Sequence, residues 1–238
     1  MLAAELPHAG DDAAVVGSMA ITTDMLHEST DFPPGTTRYT AGWRSVAASL
    51  SDLAAMGAEP TAAVAAYADE SFVDRELRAF VDGAQTVCAT VGTEYVGGDP
   101  DHHCEFTVTT TAVGAVDDPV YRSGATPREV VCVTGTLGRS AAALELFDQG
   151  AVERANELFQ FTPRVTAGRR LADSATAMMD SSDGLARSLH QLAAASDCGF
   201  AIERDSMPID QAVDAVEDRW EAAVHFGEDF ELVCTLPE

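Results

Sequence analysis

The chain has 238 residues, 46% of them apolar, and a formal net charge of −25 from 39 acids against 14 basic residues, every one an arginine. That length holds one large domain or two of ordinary size, no apolar run approaches the ~20 residues of a membrane span, and Met1 to Gly10 has no signal-type pattern. So acidic a chain is a poor match for phosphate backbones, which disfavours nucleic-acid binding and leaves a soluble cytoplasmic protein as the expectation.

Taken in order, Ala13 to Thr23 reads as two short strands around Gly17-Ser18. Asp31 to Thr37, with Pro33-Pro34-Gly35, reads as a loop. Trp43, Val46, Leu50, Leu53 and Ala54 recur at helical spacing, and the pattern stops near Gly57 and Pro60. A buried strand is expected over Thr61 to Ala68, and a helix with Leu77, Phe80, Ala84, Val87 and Val91 on one face. Strands are expected at Thr93 to Val96 and Phe106 to Val116. The first half therefore reads as an antiparallel-rich α+β layer.

The breaks at Asp117-Asp118-Pro119 and Arg122 to Pro127 mark a boundary, giving units 1–117 and 118–238. The second half opens with a strand at Val130 to Thr134 and a helix from Arg139. Helices follow at Ala151 to Gln160 and Pro163 to Ala172, then a strand at Ala177 to Met179 and a helix through Leu185, Leu189 and Leu192. A strand at Gly199 to Ile202, a helix near Trp220 to Phe226 and a strand at Phe230 to Thr235 complete an expected α/β unit.

Five acidic islands stand out, each beside Gly, Ser or Thr: Gly10-Asp11-Asp12, Thr22-Thr23-Asp24, Ser51-Asp52, Gly97-Gly98-Asp99 and Asp180-Ser181-Ser182-Asp183. Two bare carboxylates ~4 Å apart repel by about 4 kcal/mol at an effective dielectric of ~20. They converge only around cations, and an all-oxygen donor set points to Mg²⁺ or Ca²⁺ rather than zinc. Each island also has a plainer reading. Gly10-Asp11-Asp12 suits a turn, and Asp180 to Asp183 suits a helix N-cap. Asp52 is the most informative, because its neighbours Leu50, Leu53 and Ala54 are apolar and a lone acid there is costly. The two glycines before Asp99 leave room for a phosphate to approach the backbone.

Other chemistries find no support. A Walker GxxxxGK[ST] loop is absent, with no lysine to serve it, and no serine sits in a GxSxG elbow. The histidines lack metal-ligand spacing. The five cysteines form no CxxC pair, so buried free thiols are expected. Most of the 39 acids read as solvated surface suited to a salt-rich cytoplasm rather than a face for a basic partner.

The order of the motifs carries a resemblance. GDDAAVV from Gly10, TTDML from Thr22, SDLAAMGA from Ser51, YVGGD from Tyr95, RSGA from Arg122, VTGTLGRSAA from Val133, SSDGL from Ser181, ASDCGF from Ala195 and GEDFEL from Gly227 follow one another as in the thiamine-monophosphate kinases. These belong to the superfamily of aminoimidazole-ribotide synthetase. The lysine-free, acidic composition resembles a version from a halophilic archaeon.

The resemblance implies an N-terminal ferredoxin-like α+β half that forms a barrel with a second subunit, and a C-terminal α/β half that in relatives continues past GEDFEL into a further tail. It implies a cytoplasmic homodimer that moves the γ-phosphoryl of ATP onto thiamine phosphate, with no protein nucleophile or base. Asp12, Thr22, Thr23, Asp24, Asp52, Asp99, Asp180 and Asp183 match the Mg²⁺ shell. Gly98, Asp99, Arg122 and Ser182 match nucleotide contacts, and Glu228 matches a substrate contact. Asp31 stands where the family often has a substrate-side histidine. Two other readings stay open: another ATP user of the superfamily, such as a selenophosphate synthetase or hydrogenase-maturation enzyme, or a non-catalytic Mg-nucleotide binder.

Overall fold

A computed structural model describes Leu6 and residues 8–238. The first half builds a five-stranded sheet from β1 (Ala14–Val16), β2 (Met19–His27), β3 (Glu59–Asp69), β4 (Tyr95–His102) and β5 (Thr107–Ala115). Its order is β1-β2-β5-β3-β4, antiparallel throughout except for the parallel pair β3/β4. Strict alternation sets the two faces. Ala20, Thr22 and Leu26 of β2 are buried, as are Val108, Thr110 and Ala112 of β5 and Ala63, Ala65 and Tyr67 of β3. This inner face packs on two helices, α2 (Arg38–Ala55) and α3 (Asp74–Thr90). Before them comes the single turn α1 (Glu28–Asp31). The opposite face has no covering layer among the described residues, and Met19, Met25, Val64 and Val96 lie exposed.

Helix α2 is the hub of the molecule. Thr37 caps it, its side chain accepting from the Thr40 amide at 3.1 Å. Fourteen of its 18 residues are buried, most of them Ala, Ser or Gly, so both halves of the chain approach it closely. It crosses α3 where Gly42 faces Phe80 and Gly83 faces Tyr39. A Cβ at either glycine would lie 2.0 Å from the opposing carbonyl oxygen. Val46, Leu50, Leu53 and Met56 are fully buried there, each stabilising the fold by roughly 1.5–3 kcal/mol.

The second half carries a three-stranded sheet of β6 (Val130–Val133), β7 (Ala177–Asp180) and β8 (Leu232–Leu236), ordered β6-β8-β7 with β8 antiparallel to both neighbours. Around it lie α4 (Arg139–Asp148), α5 (Val152–Phe159), α6 (Val165–Leu171), α7 (Leu185–Ser196) and α8 (Arg219–Val224). The halves are joined by polar and aromatic contacts. The Trp43 indole N–H donates to the Phe161 carbonyl at 2.6 Å, and the Arg44 guanidinium lies 3.7 Å over the Phe159 ring. Together they form a mixed α+β protein in which the expected helices and most expected strands are present.

Two segments differ from the sequence reading. Gly199 to Ile202 forms no strand. Phe200 is partly buried against the core through its side chain alone, and an apolar run of that length looks the same whether its backbone pairs or not. The strand expected at Thr93 to Val96 begins later and runs to His102, so Gly97-Gly98-Asp99 lies inside β4 rather than beyond its end. All five cysteines are free. Cys88 and Cys234 are buried, but Cys104 is exposed and Cys132 and Cys198 are half-buried. No helix of the described residues is long and apolar enough to cross a membrane.

Candidate active site

Three of the acidic islands meet at the seam between the halves. Asp12 sits in the turn before β1, Asp52 near the C-terminal end of α2, and Asp180 is the last residue of β7. Each offers a carboxylate oxygen, and these atoms lie within 4.8 Å of one another. Thr22 and Asp24, two apart on β2, point the same way into this cluster. The Thr22 hydroxyl donates to the Asp52 carboxylate, and Asp24 accepts from Ser49 at 2.6 Å. Ser49 and Asp52 are neighbours on one face of α2 because they are three residues apart.

The electrostatics of the cluster are those of an anionic cage. Burial pushes the Asp52 carboxyl well above its usual range, and repulsion from Asp180, Asp24 and Asp12 pushes it further. Asp180 is raised to about 8, first by burial and then by Asp12. Burial also raises Asp12 and Asp24, against the opposing effects of Arg122 and Ser49 respectively. Asp180 Oδ2 and the Ser181 hydroxyl are buried with no hydrogen-bond partner. Orphaned acceptors among crowded acids, with oxygen as the only donor type, fit one or more hard divalent cations.

Arg122 is the cation present in the chain itself. Its guanidinium forks onto Asp12 at 2.9 and 3.2 Å, and its amide donates to Asp11 at 2.8 Å. The loop after β7 is arranged differently from a capped helix start. Gly184 is the N-cap of α7 and makes no side-chain cap hydrogen bond, so neither Ser182 nor Asp183 caps the helix. The Ser182 carbonyl accepts from the Glu228 amide at 2.7 Å. Asp183 is exposed and pairs with Arg187 at 3.1 Å.

The sheet separates other residues from this cluster. Asp24 is in register with Thr110, Ala65 and Gly98 across four strands, three spacings or ~14 Å in all. Gly98 is required by packing, since a Cβ there would lie 1.8 Å from the Ala65 carbonyl oxygen. Asp99 and Thr23 belong to the uncovered face of the sheet. Thr23 donates to the Thr110 carbonyl at 2.8 Å.

Beside the carboxylates opens a cavity of about 630 Å³. Glu28, Asp31, Asp148 and Glu228 line it with Arg38 as the single basic group, and Phe32, Phe159 and Phe226 supply apolar surface. Asp31 accepts from the His27 amide and the Thr30 hydroxyl, each at 2.7 Å. The Glu228 amide donates to the carbonyl of Ser182, two residues from Asp180, so the wall of the cavity adjoins the cluster. Sequence reasoning did not pick out Arg44, Asp229, Arg164 or Glu231. Arg164 forks onto Glu231 at 2.7 Å and a shorter second contact. Asp229 accepts from the Gly138 and Ser140 amides at the start of α4, and burial lifts its pKa to about 6. The one available signal was Arg44, a lone charge inside the otherwise uncharged run from Tyr39 to Ser51.

A cage of buried acids where two halves of a mixed α+β chain meet suits a protein that works with a divalent cation, and its relatives give the class. The models for AIR synthase related protein match residues 10–116 with its N-terminal domain and 127–238 with its C-terminal domain. A thiamine-monophosphate kinase from Halobacterium salinarum is 66% identical over 96% of this chain and 80% of its own length, and one from Methanospirillum hungatei is 44% identical over the same shares. The chain belongs to the AIR-synthase-related family, in its thiamine-monophosphate kinase branch. The solved structure of AaThiL complexed with AMPPCP and TMP superposes with a TM-score of 0.90 at 27% identity, over 98% of this chain and 81% of that one. Hydrogenase maturation protein HypE, at 20% identity and a TM-score of 0.77, shares the fold.

Proposed function

We propose that this protein phosphorylates thiamine phosphate to thiamine diphosphate, using ATP and several Mg²⁺ ions. The observation that carries the reading is the junction of the Asp12, Asp52 and Asp180 cluster with the acid-lined cavity. Four acids against one arginine suit a ligand whose organic end is cationic, as the thiazolium of thiamine phosphate is. A kinase relative caught with AMPPCP and TMP supports the same pairing of ligands.

In this reading Asp12, Thr22, Asp24, Asp52 and Asp180 would hold the metal. A bound divalent cation supplies charge neutralisation between two phosphate-bearing substrates. Arg122, paired with Asp12, offers a forked donor to a phosphate. The acceptor is already an anionic oxygen, so no residue has to remove a proton, and the γ-phosphoryl passes in line between aligned oxygens. Gly98, Asp99 and Ser182 are proposed nucleotide contacts, and Asp31 and Glu228 substrate contacts. Thr23, Asp99 and Asp183 keep their proposed place as metal ligands on the family resemblance alone.

The same reading includes two domains, 1–117 and 118–238, a cytoplasmic location and a homodimer. The dimer is supported by the uncovered sheet face, where four large apolar side chains are exposed in a strongly charged chain. Incubation in high salt with ATP, Mg²⁺ and thiamine phosphate should yield thiamine diphosphate. Nucleotide binding without product would support a non-catalytic binder instead. Product only with a different acceptor would move the protein to another ATP user of the superfamily.

A further inference from the structure

Arg44 lies at the centre of α2 with 1% of its side chain exposed, a costly place for a charge. Its two terminal nitrogens tie the Glu228 turn to the end of α5, while Nε is buried with no hydrogen-bond partner. Nη2 donates to the Glu228 carboxylate at 2.6 Å and to the Glu228 carbonyl at 2.9 Å, while Nη1 donates to the Phe159 carbonyl at 2.7 Å. The Phe159 ring lies 3.7 Å from the guanidinium carbon and fixes the plane of the fork.

Glu228 is held from the other sides too. Its amide donates to the Ser182 carbonyl at 2.7 Å, and its carbonyl accepts from the Ser140 hydroxyl at 2.6 Å. Its backbone has φ of +62°, which a non-glycine residue keeps only when its surroundings impose it. The Glu228 side chain is 43% exposed and lines the cavity. A long acidic side chain at that exposure would sample many rotamers, and the buried arginine selects one. The planar fork reaches Phe159 through Nη1 and Glu228 through Nη2 at once, a span that the single ammonium of lysine does not reproduce.

We propose that Arg44 is a positioning residue: it fixes the Glu228 carboxylate in the cavity wall and so sets affinity for the cationic organic end of the phosphoryl acceptor, not for ATP. This rests on the function proposed above. Asp229 also faces Arg44 and feels its charge, but its carboxylate is engaged by the amides of Gly138 and Ser140.

The test is a double-mutant cycle of Arg44→Met and Arg44→Lys with Glu228→Gln. It is read as separate KM values for thiamine phosphate and ATP, alongside thermal unfolding. Arg44→Met and Glu228→Gln should each raise KM for thiamine phosphate about tenfold, with KM for ATP moving less than twofold. In the Glu228→Gln background Arg44→Met should add less than twofold, because the carboxylate charge that Arg44 positions is already gone. Arg44→Lys, which keeps the buried charge and loses the fork, should fall between Arg44→Met and the parent and carries the cycle if Arg44→Met does not fold. Effects that multiply, or that strike both KM values alike, would overturn the proposal and leave Arg44 a core residue. Absence of any turnover by the unaltered chain would instead sink the functional reading itself.

Discussion

Asp52 and Asp180, from opposite halves of the chain, present carboxylate oxygens within 4.8 Å of each other in a buried cluster with Asp12. Such a pair is unstable as two anions, and its behaviour with pH follows. The folded-state pKa of Asp180, about 8, lies above the ordinary value of 3.8. The folded protein therefore holds a proton that the unfolded chain has released between those values. Its contribution to metal-free stability is complete below pH ~4 and is lost as pH rises through about 8. Metal needs the deprotonated form. The rise in melting temperature caused by Mg²⁺ should therefore be larger at pH 8.5 than at pH 6. A rise equal at both, followed by scanning fluorimetry, would mean that the cluster does not bind the ion.

Asp52→Asn removes one member of the repelling set without changing its size. Turnover that depends on Mg²⁺ should disappear, and the melting temperature in the absence of metal should rise by about 2–4 °C for each kcal/mol of repulsion relieved. A variant as active as the parent would sink the metal assignment.

The net charge of −25 predicts a strong salt response. The Debye length falls from ~10 Å at 0.1 M to ~3 Å at 1 M, so self-repulsion of the folded surface is largely screened at high salt. The midpoint of thermal unfolding should climb steadily between 0.1 and 2 M KCl. A flat response would show that the acids are compensated within the fold.

The uncovered face of the five-stranded sheet predicts self-association. Met25, on β2 and 60% exposed, is the residue to change. Met25→Arg should convert a dimer to a monomer by light scattering in high salt while leaving circular dichroism intact. A parent that is already monomeric would remove the sheet face as a dimer surface.

The crossing of α2 and α3 depends on the absence of a side chain. Gly83→Ala places a Cβ 2.0 Å from the Tyr39 carbonyl oxygen. The helices must separate, at a cost of about 1–3 kcal/mol or more, which denaturant titration would measure directly.

Much of this protein was legible in the sequence. The helices α2 and α3 and the paired strands β1 and β2 follow from apolar spacing, because side-chain direction in regular structure is fixed by position along the chain. The acids Asp12, Asp52 and Asp180 were marked by small or hydroxyl neighbours at element ends. Spacing did not say whether Gly199 to Ile202 would find a strand to pair with. Nor did it reveal that Asp99 lies on the uncovered face of β4 while Asp24 lies on the inner face of β2. It also gave no partner for Arg44, whose carboxylate is 184 residues away. Those outcomes depend on which strand lies beside which and where two halves of a chain meet. Sequence by itself set the local geometry and the supply of oxygen ligands. Only the tertiary structure decided which acids were crowded together, because repulsion, burial and forked hydrogen bonds act through space between residues the chain keeps far apart.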